Sequence, residues 1–125
     1  MLTFFPRDHD NKFFALKILT LEATEEHAKG RMLERKIMQT LRRHGEMEHL
    51  PYLVDTFDID VGRGKQHICF VLNLLGSDVA SLRRSALQKA LPVHVVRVII
   101  RHVLTALSYL HKLGIVHTGA YLTVY

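Results

Sequence analysis

The chain is poor in the features that staple, anchor or unstructure a polypeptide. It has one cysteine, Cys69, in 125 residues, which excludes an internal disulfide. Cys69 lies within an apolar run and is expected to be a buried, inert thiol in an intracellular protein. Three prolines form no proline-rich linker, and there is no internal repeat or low-complexity tract. Apolar stretches are short or interrupted by Arg and His, so no bilayer span is expected. The opening MLTFFPRDHDNK lacks a basic segment followed by a sustained apolar core, so it does not read as a signal peptide. Nine histidines show no H-E-x-x-H or other paired ligand spacing, which argues against a metal site. Aromatic residues do not interleave with the basic ones, which argues against a nucleic-acid surface.

What is present suits a modest globular domain: 48% hydrophobic residues and a formal net charge of +5. The positive charge gathers at Arg31, Arg35, Lys36, Arg42 and Arg43, and again at Arg83, Arg84, Arg97 and Arg101. Such groups are expected to be solvated helix faces, with acidic partners favoured overall.

Lys12–Leu19 is rich in strand formers after a turn-like Asp8–Asn11. Residues 22–44 read as one helix, with Thr24 as N-cap, Leu33, Ile37 and Leu41 on its apolar face, and Gly45 just past its end. Tyr52–Ile59 and His67–Leu75 read as strands joined by the glycine-bearing turn Val61–Lys65. A short helix is expected near Val79–Leu87. Pro92 opens a long one that runs to about Leu113 and stops at Gly114. Its stripe of Val96, Ile99, Ile100, Val103, Leu104, Leu107 and Leu110 predicts packing in a core. The order strand, helix, two strands, two helices predicts an α+β fold in two lobes.

Within that pattern, Lys17 lies in a strand flanked by apolar residues, where an ammonium needs a partner, and Glu34 in the following helix can supply one. A strand lysine held by a helix glutamate is the arrangement that positions ATP phosphates in kinases. HICFVLNLLG is a strand ending in glycine, able to offer backbone groups to a flat ligand.

With FALKIL, VLNLLGSDVASLRRS, LPVHVVRVIIRHVLTALSYLH and GIVHT in hand, residues 9–118 resemble a eukaryotic serine/threonine protein kinase, closest to the SR-protein kinase family as found in fungi. The resemblance implies a partial N-lobe over residues 1–75 and the hinge exit and first C-lobe helices over 76–118. A tail at 119–125 departs from the family. It implies that Lys17 is the ATP-phosphate lysine, Glu34 its helix partner, Leu72 the gatekeeper, and that the Asn73 carbonyl and Leu75 amide face adenine. His117 would be the catalytic-loop histidine, structural and packed beneath the site. ATP and magnesium are the family's ligands, and Arg/Ser-rich splicing-type proteins its substrates.

The departures carry as much meaning. Gly119 stands where the family's catalytic aspartate belongs. No glycine precedes Lys17, no Asp-Phe-Gly follows in the sequence given, and the later helices that cover the long helix in the family are missing from it, so the stripe from Val96 to Leu110 is expected to be partly uncovered, as a large apolar patch. The chain as written is therefore expected to be catalytically dead and to bind nucleotide weakly or not at all. The abrupt end of the match fits translated intron or frameshifted sequence over residues 119–125, which a mature transcript would test. A non-catalytic, pseudokinase-like binding module, docking an Arg/Ser-rich protein or another kinase chain, is the alternative. Neither membrane nor nucleic-acid partners are expected, and the compartment would be cytoplasm or nucleus. Arg83-Arg84-Ser85 also resembles a basophilic phosphorylation site.

Overall fold

The structure, a computed structural model, describes residues 2–6 and 12–117. They divide into two units. The first contains the residues up to Glu46 together with Pro51–Gly76; the second contains Met47–Leu50 and the residues from Ser77 on.

The first unit is built on a four-stranded antiparallel sheet of order β1-β2-β4-β3. Its strands are β1 (Leu2–Pro6), β2 (Phe13–Ile18), β3 (Leu53–Asp60) and β4 (Gln66–Asn73). The sequence pattern predicts no element at Leu2–Pro6, yet its backbone pairs with β2 and so makes β2 an interior strand. The hairpin between β3 and β4 forms as the glycines predict. Gly62, Arg63 and Gly64 all take positive φ, and the Asp60 carboxylate accepts the Gly62 N–H at 2.7 Å.

The single helix expected over residues 22–44 is two helices, α1 (Leu21–Ala28) and α2 (Glu34–Arg43). The reason lies at Gly30, which adopts φ +72°. There the Gly30 N–H donates to the His27 carbonyl and the Arg31 N–H to the Glu26 carbonyl, a paired closure that satisfies the last carbonyls of α1. The cap also differs. Thr20, not Thr24, accepts the Ala23 N–H through its hydroxyl, while the Thr24 hydroxyl accepts the Ile68 N–H of β4. At the other end, Gly45 takes φ +86° and ends α2 as expected.

α1 packs on β4 and α2 on β3. Met38 and Leu41 of α2 join Ala15, Leu19, Leu53, Ile68, Cys69 and Phe70 in the core. Leu33, expected on the apolar face, is exposed because it precedes the first turn of α2 and lies outside the packed stripe. Nor are the arginines of this region simply solvated. The Arg35 guanidinium donates to both oxygens of Asp58 in β3, at 2.9 and 3.2 Å, Arg42 lies 3.6 Å from Asp55, and Arg31 pairs with Glu26.

The second unit holds α3 (Val79–Ser85) and α4 (Val93–Lys112). Asp78 caps α3, and its carboxyl sits below the ordinary value because it accepts the Ser81 backbone N–H. Pro92 sits at the N-cap of α4, and Gly114, at φ +70°, closes the helix with the same paired hydrogen bonds seen at Gly30. The imidazole of His49, from the short segment Met47–Leu50, stacks on His102 of α4 at 3.8 Å. The apolar stripe of α4 is partly uncovered, as expected from the sequence given. Ala106 and Leu110 are buried, while Val96, Ile100, Val103 and Leu104 are exposed. An amphipathic pattern states which face seeks cover; it does not provide the cover. By length and composition alone, α4 also reaches what a membrane span requires, a test that core helices of soluble proteins pass as well.

Candidate nucleotide-binding site

The interior position of β2 decides the environment of Lys17. Its backbone is held on one side by β1 and on the other by β4, so the side chain leaves the sheet from a fixed point. Lys17 pairs in register with Phe70, and Ala15 with Leu72. Residues opposite each other or two apart share a face of a sheet. Ala15, Lys17, Phe70 and Leu72 therefore line one face. Phe70 is only 1% exposed and anchors that face in the core.

From this face the Lys17 ammonium donates to the Glu34 carboxylate. Glu34 is the first residue of α2, not mid-helix as the unbroken helix implies, because Gly30 stops the chain before it. The position has an electrostatic consequence: a carboxylate in the first turn is favoured by the helix dipole. Both side chains remain about one-third exposed, at 39% and 33%, so water and ions reach the pair. The ammonium keeps donor capacity beyond Glu34, since it carries three N–H bonds.

Leu72 is half-buried and faces Ala15 across β2 and Leu53 across β3. Asn73 ends β4. Its side-chain oxygen accepts the Tyr52 N–H at 2.8 Å, and its own N–H donates to the Tyr52 carbonyl at 3.1 Å. This double link fixes where the strand gives way to the following segment. Two residues on, Leu75 is 60% exposed, and among the described residues its N–H has no hydrogen-bond partner. An accessible, unpaired amide beside a strand end suits the acceptor nitrogen of a planar heterocycle.

Five residues singled out in the sequence thus fall in the first unit: Lys17 and Glu34 in contact, Leu72 on the same sheet face as Lys17, and Asn73 and Leu75 at the end of β4 and beyond. His117 belongs to the second unit. It is exposed there, whereas the resemblance implies a residue packed beneath the site. Gly119 lies outside the described residues. Among the described residues no cluster of His, Cys, Asp or Glu could hold a metal ion. Cys69 is fully buried, and burial pushes its thiol above the ordinary value, so it takes no part in chemistry at neutral pH. Sequence reading missed the Arg35–Asp58 and Arg42–Asp55 ties that hold α2, and with it Glu34, against β3.

Comparison with known proteins agrees with this geometry. The family model described as the protein kinase domain matches residues 5–119. Protein kinase dsk1 of Schizosaccharomyces pombe is 34% identical over 109 residues, covering 83% of this chain and 20% of that protein. Serine/threonine-protein kinase spk-1 of Caenorhabditis elegans is 31% identical over 114 residues, 87% of this chain and 11% of its own length. SRSF protein kinase 3 of Mus musculus is 31% identical over 112 residues, 86% of this chain and 19% of its own. The chain therefore spans a fifth or less of the length of these relatives. A sheet carrying a strand lysine paired to a helix glutamate, followed by helices, is a partial kinase N-lobe with the helices that succeed it, and the chain belongs to the protein kinase domain family, with SR-protein kinases among its homologues.

Proposed function

We propose that this chain is part of a serine/threonine kinase of the SR-protein kinase type. The whole protein would transfer the γ-phosphoryl group of ATP to Arg/Ser-rich proteins of the splicing class in the cytoplasm or nucleus. The observation that supports it is the Lys17–Glu34 pair on an interior strand, with the Leu75 N–H unpaired among the described residues. In this reading Lys17 holds the α- and β-phosphates, Glu34 orients Lys17, Leu72 limits pocket depth, and the Asn73 carbonyl and Leu75 N–H meet the adenine edge.

Phosphoryl transfer needs more. The substrate hydroxyl attacks the γ-phosphorus, the bond to the ADP oxygen breaks, and the hydroxyl proton passes to a base. Gly119, at the family's aspartate position, has no side chain to accept that proton or orient that hydroxyl. Magnesium chemistry, charge neutralisation between the phosphates, would need carboxylates, and the described residues offer no such cluster. The chain as written is thus proposed to bind adenine nucleotide weakly and not to turn it over.

The test is equilibrium binding of a fluorescent ATP analogue together with phosphate transfer to an Arg-Ser repeat peptide. Weak binding, abolished by Lys17→Met, with no transfer is the expected result. Measurable transfer overturns the proposed inactivity; binding indifferent to Lys17→Met overturns the assignment of the phosphate lysine. The second reading, a non-catalytic binding module, draws on the exposed face of α4. It predicts a soluble complex with a defined partner that charged residues at positions 104 and 107 abolish.

A further inference from the structure

None of the residues of α3 is buried, so this helix rests on its own hydrogen bonds and on the Asp78 cap. A helix this short is marginal in water without packing, and opening it locally costs little. Its last residue, Ser85, is exposed, and Ala86 already takes an extended backbone, with φ −72° and ψ 144°. Leu87, two residues on, is fully exposed. The chain around Ser85 can therefore be drawn out straight at small cost.

Arg83 and Arg84 immediately precede this serine, a placement shared by none of the other serines, Ser77, Ser81 and Ser108. Both arginines are exposed, and neither forms an ion pair among the described residues. Arg84 donates instead to a neutral acceptor, the Ser81 hydroxyl, at 2.6 Å. No Asp or Glu follows Asp78 in the sequence given, so the segment has no acid of its own beyond the cap. Two accessible guanidinium forks suit the planar carboxylates of another protein. The Ser85 hydroxyl donates to the Leu82 carbonyl at 2.9 Å, a bond inside the last turn that breaks when the turn opens.

We propose that Ser85 is a phosphorylation site for a separate, arginine-directed serine kinase, and that the phosphate unwinds α3. Carboxylates of the modifying enzyme hold Arg83 and Arg84 while the segment lies extended. The Ser85 Oγ attacks the γ-phosphorus of ATP, the bond from that phosphorus to the β–γ bridging oxygen breaks, ADP leaves, and the hydroxyl proton passes to the enzyme's base. The esterified Oγ then has no proton to donate to the Leu82 carbonyl. About two negative charges also come to rest at the carbonyl end of the helix, where the dipole disfavours them. Three and four residues before Ser85 lie Leu82 and Ser81, neither of them cationic, so the helix offers the phosphate no partner. Unwound, the segment can turn Arg83 and Arg84 to it. The site stands whether or not this chain itself transfers phosphate.

The experiment treats the full chain with magnesium ATP and the catalytic subunit of an arginine-directed serine kinase, and locates the added phosphoryl group by tandem mass spectrometry. Incorporation at Ser85 is expected, and its loss in Ser85→Ala. Arg83→Ala should slow it about tenfold, through the loss of one charge-assisted contact. Asp78→Ala removes the cap and should speed it about fivefold, because the open segment becomes more populated. Slower incorporation in that variant would mean that the modifying enzyme needs the intact helix, and the proposal would fall. Ser108→Ala, in α4, is the silent control. Backbone chemical shifts of Val79–Ser85 should move from helical to coil values on phosphorylation, with those of α4 unchanged. No incorporation, equal incorporation in Ser85→Ala, or helical shifts kept by the phosphorylated chain would each overturn the proposal.

Discussion

The two units solve the problem of burying apolar surface to very different degrees. Among the described residues, eight of the ten that are buried in a core lie in the sheet unit, from Ala15 to Phe70, and two, Ala106 and Leu110, lie in the helical one. The sheet unit combines a continuous core with cross-element ties at Lys17–Glu34, Arg35–Asp58 and Arg42–Asp55. In the helical unit the internal hydrogen bonds of α4 satisfy its backbone, while Val96, Ile100, Val103 and Leu104 of its stripe stay exposed. Chemistry that depends on ångström-level placement belongs where side chains are held by packing, and the Lys17–Glu34 pair is found there.

The largest effect that could break this contrast is a cavity at Phe70. The ring is 1% exposed, pairs in register with Lys17, and lies 6.5 Å from the His27 ring. Phe70→Ala should cost about 3–5 kcal/mol. Amide exchange would show protection lost across β2, β3 and β4. Loss confined to β4 would mean that the sheet is not one cooperative unit.

A smaller effect tests the helix break. Gly30 has open space where a Cβ would go, but its φ of +72° is costly for any side chain. Gly30→Ala should destabilise the sheet unit by about 1 kcal/mol. Denaturant unfolding measures it. An unchanged or higher midpoint would show that the turn tolerates a side chain and that some other feature separates α1 from α2.

That break also shows what sequence can and cannot convey. The hairpin was legible because Gly62 and Gly64 advertise positive φ between two strand patterns. The Lys17–Glu34 pair was legible because a lysine among apolar strand residues demands a counter-charge. The break at Gly30 was hidden because Leu33, Ile37 and Leu41 continue an every-fourth spacing that reads as one helix with everything before it. The Arg35–Asp58 tie was hidden for another reason. It depends on how α2 lies across β3, and local periodicity says nothing about that. The exposure of α4 was legible in part: its stripe is plain in the sequence, and so is the lack of later family helices in the sequence given to cover it.

A pH-dependent effect separates the units further. The buried Cys69 thiol titrates above its unfolded value because burial disfavours the thiolate. Its contribution is fully present below the unfolded thiol pKa, about 8.5, and is lost as pH rises from there through the folded value, since the unfolded chain then releases a proton the folded one retains. Stability of the sheet unit should therefore decline above that pH, and Cys69→Ala should flatten this part of the decline. An identical slope in the variant would assign the alkaline loss to other groups.

The smallest expected effect is the most diagnostic for the helical unit. Leu104 is 60% exposed, whereas Leu110, on the same helix, is 6% exposed. Leu104→Glu should leave the unfolding midpoint within about 0.5 kcal/mol of the parent, as surface substitutions do. It should also reduce self-association in sedimentation, because it charges the middle of an exposed apolar face. Leu110→Glu, placing a carboxylate in a buried site without a partner, should instead remove amide protection along α4. If the two substitutions proved equally harmful, the stripe would be covered in solution, by a second copy or another chain. The gap between the units would then reflect a missing neighbour. Equal harmlessness would mean that Ala106 and Leu110 hold no core, and that α4 persists on its own hydrogen bonds.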